Sequence, residues 1–262
     1  MQDRGAFMAI RTLTIITISY CDPVGLLATL KSVAGQSRLD NLEHLVIDGG
    51  SAYDVRAMCA MFPHISKVIS EPDKGIYDAM NKGIDIASGE YMLFLNSGDE
   101  LADSLVVDSV ISCIKRSGAI FYFGDGYQKQ ENGERCHRRA ASISYVKFGM
   151  FALHQSMVFE ANRMRRVRFD EKFEVGGDYN HVCRFIATGV EPVRLDFAVC
   201  VYAPQGVSSR RWLTGVIENF RTRRCELGTG LFSNSLIAGV QILANVVRIV
   251  APGLYFAVRP RR

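Results

Sequence analysis

Apolar residues along the chain follow two alternating rhythms. Residues 13–19 interleave threonine with leucine and isoleucine, as a strand buried in a sheet does. Asp22-Pro23 then opens a stretch in which Val24, Leu27, Leu30 and Ala34 recur at helical spacing, with Asp suited to the N-cap and Pro to the first turn. Residues 45–48 form a second apolar strand, closed by Gly49-Gly50-Ser51, and a helix over about 53–61 is stopped by Pro63. Val68-Ile69 make a short third strand. The loop Glu71-Pro72-Asp73-Lys74-Gly75 leads into a helix with Ile76, Met80, Ile84 and Ala87 on one face, ended by Gly89. Residues 91–95 are continuously apolar, the form of a strand covered on both faces. Asn96-Ser97-Gly98-Asp99 follows, and then a helix over about 103–115.

Strand, loop and helix thus repeat four times, which predicts an α/β fold with a mostly parallel central sheet, flanking helices and right-handed crossovers. Ligands of such sheets bind beyond the carboxyl ends of the strands. The polar loops at 20–22, 48–51, 71–75 and 96–99 should therefore meet along one edge. The second half is less regular. A hairpin turns at Asn132-Gly133, strands are expected over 157–159 and 193–202, and a helix runs from Asp178 to about residue 187. We divide the chain into an N-terminal tail (1–11), one domain (12–225, halves 12–118 and 119–225) and a C-terminal tail (226–262). In that tail Leu236, Val240, Leu243, Val247 and Val250 stack at helical spacing against a stripe of Gln241, Asn245 and Arg248, before Pro252 and the closing Arg259-Pro260-Arg261-Arg262. An amphipathic helix with terminal arginines suits an anionic membrane surface. No run of about twenty clean apolar residues stands out, so a spanning helix is not expected.

Composition narrows the function. The 262 residues are 48% apolar and 22% charged, ordinary for a globular protein. A net charge of +4, with no aromatic-basic pattern, argues against a nucleic-acid partner. The seven cysteines are odd in number and widely spaced, which suits reduced thiols in the cytoplasm rather than disulfides or zinc. Met1-Gln2-Asp3-Arg4, with Arg11 breaking the apolar stretch, does not read as a signal peptide. The oligomeric state is left open.

Three carboxylates sit where chemistry is expected. Asp48 ends a buried strand at a Gly-Gly turn, where it can accept from a base or ribose or cap the next helix. Asp99 follows an apolar strand and can either meet a divalent cation on phosphates or make a turn. Asp178, after Val175-Gly176-Gly177, can deprotonate an acceptor hydroxyl or cap its own helix, and the glycines permit close approach of a ligand. His154-Gln155 and His181 lie beside apolar runs. There is no Walker loop and no GxGxxG after the first strand, which weakens kinase, NTPase and NAD-dependent readings.

Residues 14–20, 46–51, 70–83 and 89–99 resemble, in order and at family-like spacing, the family 2 glycosyltransferases with the GT-A fold, and within them transferases of bacterial exopolysaccharide synthesis such as the colanic-acid type. The segment Glu71-Pro72-Asp73-Lys74-Gly75-Ile76-Tyr77-Asp78-Ala79-Met80-Asn81 carries most of the specificity. The resemblance, which extends over about residues 12–210, implies a nucleoside-diphosphate-sugar donor and a saccharide acceptor, lipid-linked in the subset it most resembles. It implies that Ser19, Tyr20 and Asp48 line the nucleoside pocket. Asp73, Lys74, Asp78 and Asn96 would lie near the donor, Asp99 would hold Mg²⁺ or Mn²⁺, and Asp178 would act as catalytic carboxylate. His154-Gln155 and Gly206-Val207-Ser208 match further family positions. The family's DxD motif is reduced to Asn96-Ser97-Gly98-Asp99, leaving one carboxylate. Two rival readings follow: an inert sugar-nucleotide-binding subunit, motivated by that reduction, and a nucleotidylyltransferase, which would want a Gly-rich basic loop where Tyr20-Cys21-Asp22-Pro23 stands.

Overall fold

A computed structural model describes residues 12–130, 132–203 and 211–251. The N-terminal tail, Gly206-Val207-Ser208 and the terminal arginines lie outside the described residues. The first half follows the expected rhythm: β1 (Leu13–Ser19), α1 (Pro23–Ala34), β2 (Leu42–Asp48), α2 (Val55–Ala60), β3 (Ile65–Ser70), α3 (Ile76–Ile86), β4 (Tyr91–Phe94), the short β5 (Glu100–Leu101) and α4 (Val106–Ser117). The second half adds the hairpin β6 (Phe121–Lys129) and β7 (Arg135–Arg138), β8 (Met157–Glu160), α5 (Ala161–Arg166), α6 (Gly177–Ala187), β9 (Val193–Tyr202), α7 (Trp212–Cys225) and α8 (Leu231–Val250). β5, α5 and α7 were not anticipated.

The sheet has nine strands in the order β3-β2-β1-β4-β8-β6-β9-β5, with β7 paired to β6. β3, β2, β1 and β4 are parallel, the α/β half read from the sequence. β8 runs antiparallel to both β4 and β6, while β9 returns parallel to β6. The parallel character is therefore concentrated in the first half. Strand residues alternate between two cores, as the period of two requires. Ile16, Ile18, Met92, Phe94, Phe121, Phe123, Met157 and Phe159 pack toward α3 and α6, and Leu13, Ile15, Leu93, Tyr122 and Val158 toward α4. Helix starts follow their caps: Asp22 accepts from the Gly25 N–H at 2.9 Å, and Asp54 caps α2 through the Ala57 N–H at 2.9 Å.

Helix α8 has the length and apolar composition to cross a membrane, which the sequence reading had not singled out. It begins at Leu231, is 20 residues long and has a mean hydropathy of 1.4 over its most apolar window. The polar residues that seemed to interrupt it fall along one side, and Arg248 is its only charge.

Three histidines are buried as neutral rings. His44, bonded to Thr17 and stacked on His64, is pushed down to about 3 by burial, with His64 adding to the shift. Burial likewise lowers His154, and lowers His181 well below its ordinary value. The unfolded chain accepts protons near pH 6.5 at three positions where the fold refuses them, so this stability is complete above that pH and is lost as pH falls. Asp99, raised to about 7 (below), works in the opposite sense and offsets one of the three. Stability should therefore fall as pH drops below about 6.5, by about 1.4 kcal/mol per pH unit for each proton that the unfolded chain binds in excess. The expected result is a lower Tm at pH 5 than at pH 7 by differential scanning fluorimetry. A flat profile would mean that these rings protonate in the fold.

Candidate active site

The carboxyl ends of β1, β2 and β4 carry a connected row of polar side chains. At the β2 end, Asp48 is fully buried and its oxygens are taken by the chain itself: Oδ2 accepts from the N–H of Gly50 (3.1 Å) and Ser51 (2.9 Å) and from Ser70 Oγ (2.8 Å), and Oδ1 from Ser51 Oγ (2.5 Å). It caps no helix; that task falls to Asp54. Asp48 thus builds the turn of residues 48–51. Beside it Ser19 Oγ lies 3.4 Å from Tyr53 Oη, and Tyr20 projects its ring outward, 67% exposed. A Cβ on Gly49 would stand 2.4 Å from Asp73 and 3.1 Å from the Tyr20 ring, so Tyr20, Gly49 and Asp73 close on one another.

The loop of residues 71–75 is self-braced. Asp73 Oδ1 accepts from the Gly75 N–H (2.9 Å), and Asp78 accepts from the Lys74 N–H (3.0 Å). Lys82 pairs with Glu71 at 3.0 Å and stands 3.7 Å from Asp78. Asp78 is thereby occupied with the first turn of α3, whereas the Lys74 side chain is exposed.

Asn96-Ser97-Gly98-Asp99 is a tight turn with Gly98 at φ 89, a left-handed value suited to glycine. The Thr29 hydroxyl donates to the Asp99 carbonyl (2.7 Å) and accepts from the Gly98 N–H (3.1 Å). Ser97 Oγ donates to Asp22 at 2.9 Å, which joins this turn to the start of α1. Asp99 is buried and accepts from Gln155 Nε2 (2.9 Å) and the Ala203 N–H (3.2 Å). Burial pushes its carboxyl up to about 7. The two hydrogen bonds pull the other way, and the Asp178 charge adds to the rise. Asn96 Oδ1 is buried without a partner among the described residues.

Asp178 stands in the first turn of α6, whose N-cap is Gly176 with no side-chain cap bond. Asp178 Oδ1 is buried and unpartnered among the described residues. The preceding loop is gripped from two sides. Tyr77 donates its hydroxyl to the Val175 carbonyl (3.0 Å) and accepts from the N–H of Gly177 (2.9 Å) and Asp178 (3.3 Å). Glu218, on α7, accepts from the N–H of Glu174 (2.8 Å), Val175 (3.0 Å) and Gly176 (2.6 Å). A Cβ at Gly177 would lie 2.4 Å from the Tyr77 ring, and one at Gly176 3.0 Å from Glu218 Cβ. The glycines thus admit the chain's own Tyr77 and Glu218, a correction to their reading as room for a ligand. The turn of residues 154–156 lies beside both carboxylates. Gln155 bonds Asp99, while His154 lies buried between Phe94 and Phe169, with both ring nitrogens unpartnered among the described residues, and feels the Asp178 charge. Histidine 181 stacks on Phe169 at 4.3 Å and belongs to the core.

Asp48 and the Asn96–Asp99 turn stand at neighbouring strand ends, and Asp99 lies near Asp178. Tyr53 feels Asp48 and Asp22, Asp22 holds the Asn96–Asp99 turn, and Asp99 feels Asp178. A surface pocket lined by Thr12, Asn41, Glu90, Tyr91, Ile114 and Lys115 lies at the opposite ends of β1 and β4, away from this row. Tyr53, Tyr77 and Glu218 were not picked out from sequence; Tyr77 alone sat inside a recognised motif.

A family model described as glycosyl transferase family 2 matches residues 14–178, the span that runs from β1 to Asp178. The chain belongs to glycosyl transferase family 2. It is a glycosyltransferase, as are its named relatives. An uncharacterised glycosyltransferase of Mycobacterium tuberculosis is 32% identical over 244 residues, 89% of this chain and 92% of that one. A PGL/p-HBAD biosynthesis glycosyltransferase of Mycobacterium bovis is 31% identical over 110 residues, 40% of this chain and 43% of that one. Among solved structures, S. aureus TarS 1-349 in complex with UDP-GlcNAc superposes with a TM-score of 0.66 at 13% identity, covering 95% of this chain and 76% of that one. This chain spans 44% of the longer TarS structure. The mannosyltransferase PcManGT of Pyrobaculum calidifontis, in complex with GDP-Man and Mn²⁺, gives 0.64 at 15% identity, covering 97% and 82%. At these identities the likeness establishes the GT-A fold.

Proposed function

We propose that this glycosyltransferase moves a sugar from a nucleoside-diphosphate sugar to a hydroxyl of a lipid-linked saccharide in bacterial polysaccharide synthesis, with inversion at the anomeric carbon. The observation that carries the reading is the nearness of Asp99 and Asp178, one carboxylate bonded to Gln155 and the other presenting an unpartnered oxygen. Asp178 accepts the proton of the acceptor hydroxyl as that oxygen bonds to the anomeric carbon, while the bond from that carbon to the diphosphate oxygen breaks. Tyr77 and Glu218 hold the Asp178 loop in place for this transfer. Tyr20, Ser19 and the loop built by Asp48 receive the nucleoside, and Asp73, Lys74 and Asn96 face the ribose and diphosphate. Asp78 supports that loop from beneath.

No group of three metal-ligating side chains occurs among the described residues. One buried carboxylate whose ionisation is disfavoured fits a cation that arrives on the donor's phosphates, since Mg²⁺ is commonly held by one or two carboxylates plus substrate phosphates. Asp99 would hold it, and Mg²⁺ or Mn²⁺ bound there would supply positive charge against the departing diphosphate. Seven unpaired cysteines support a cytoplasmic setting, on the inner face of the membrane that bears the acceptor.

Thermal shift with uridine, guanosine and thymidine diphosphate sugars, with and without Mn²⁺, tests the donor. A true donor at a hundred times its Kd stabilises by about 2.7 kcal/mol, roughly 5–10 °C in Tm. Absence of any shift across the panel would remove the donor site from this rim.

A further inference from the structure

Helix α8 is amphipathic in the reverse of the usual sense. Its polar side faces the protein: Asn234 is buried, accepts from Arg223 Nε at 2.6 Å and donates to the Phe220 carbonyl at 2.9 Å. Two turns further along that side, Gln241 donates to the Phe148 carbonyl at 2.9 Å, and Asn245 bonds within the helix to the Gln241 carbonyl at 2.8 Å. Its apolar side faces out, with Phe232 (85% exposed), Leu236, Val240, Leu243 and Val250 in one continuous stripe. A soluble helix buries its apolar stripe and wets its polar one; this helix does the opposite over 20 residues, about 30 Å at 1.5 Å per residue. Helix α7, packed beside it, continues the surface. Leu213, Ile217, Arg221 and Arg224 fall on its exposed side, apolar first and basic after.

We infer that the outer face of the α7–α8 hairpin is seated in an anionic lipid bilayer, with α8 lying in the plane of the interface rather than crossing it. The charge argues for lipid over a second copy of the chain. α8 has no acidic residue, and the carboxylate of Glu218 on α7 is turned inward onto the loop of residues 174–176. A two-fold contact through this face would bring arginines against arginines, whereas an anionic headgroup layer complements them. The hydrogen bonds of Asn234 and Gln241 argue for the in-plane orientation. They tie more than two turns of α8 to the globular body, so lipid cannot surround the helix on all sides, and the opposite face is left to enter the acyl boundary. Helix α7, which sits on α8, also carries Glu218, the brace of the Asp178 loop. The inference deepens the lipid-linked acceptor reading, since the same helix that meets the bilayer holds the catalytic loop.

The test is flotation of the full chain with phosphatidylcholine vesicles, with and without phosphatidylglycerol. Wild type is expected to float with the anionic vesicles, less so at high salt. The triple variant Phe232→Ser, Leu236→Ser, Leu243→Ser should lose about a hundredfold or more in partition coefficient, from the apolar area no longer buried. Arg221→Glu should lose about tenfold on anionic vesicles and little on neutral ones. Unchanged thermal shifts with the donor nucleotide certify that each variant is folded. Wild type left at the bottom of the gradient overturns the inference, as does a lipid-free dimer that the triple variant converts to monomer. Resistance to carbonate extraction overturns the in-plane orientation. Flotation without any donor shift would instead sink the transfer reading and leave the docking surface standing.

Discussion

Asp178→Asn is expected to lower transfer by about 10²–10⁴, the usual contribution of a general base, while the affinity for the donor nucleotide is unchanged. The substitution keeps the side-chain shape and removes the capacity to take a proton. It leaves the loop intact, because the loop is held through backbone groups: Tyr77 bonds the N–H of Gly177 and Asp178, and Glu218 bonds the three N–H groups before them. Asp178 Oδ1 has no partner among the described residues, so no internal bond is lost with it. The loss should appear in kcat, since a base that acts in the transition state adds little to donor binding. A variant with near-wild-type kcat would assign the proton to another group.

Asp99→Asn is expected to move activity and stability in opposite directions. The carboxylate is buried and its ionisation is disfavoured, with its titration raised to about 7. For an acid raised in the fold, the stability it contributes is present below its unfolded value near 3.8 and is lost as pH rises through about 7. At pH 8 the wild-type fold therefore carries a destabilising charge that an amide would not. The variant should be more stable at pH 8 by ~1–3 kcal/mol, an upper range reduced because the amide keeps only one acceptor for Gln155 and the Ala203 N–H. At pH 5 the folded wild-type carboxyl holds its own proton, and the difference should be smaller than at pH 8, closing only near the unfolded value of 3.8. Transfer should fall by about 10²–10³, because an amide would hold less well the cation that would offset charge on the departing diphosphate. Two measurements check this: Tm of both proteins at pH 5 and pH 8, and turnover against Mn²⁺ concentration. Equal Tm values at pH 8, or an unaltered metal response, would remove Asp99 from the role. The combination, a residue that costs stability where it stands, is what a site kept for chemistry shows.

What the local pattern could carry, it carried. The alternation of apolar strand and amphipathic helix over residues 13–117 is a short-range signal, because each element's buried face is written within its own few turns. β1, α1, β2, α3 and β4 were legible within a few residues, and so was the rim where their loops collect. The carboxylates at those strand ends were legible for the same reason: a polar residue directly after a run buried on both faces has few places to point. Tertiary structure decided the rest, because it depends on partners far away in sequence. The surroundings of the three aspartates were set by contacts such as Asp99 with Gln155, 56 residues on, and α6 starts without a side-chain cap bond. Tyr77 and Glu218 grip one loop from positions 98 residues before Val175 and 43 after it, a pairing invisible to periodicity. Strand order in the second half, with β8 inserted between β4 and β6, follows from which faces fit and not from where the strands fall in the chain. The same limit governs α8. Its helical stripe was plain from spacing, but a hydrophobic pattern has no sign. Only the bonds from Arg223 to Asn234 and from Gln241 to Phe148 reveal that the polar side is the one turned inward.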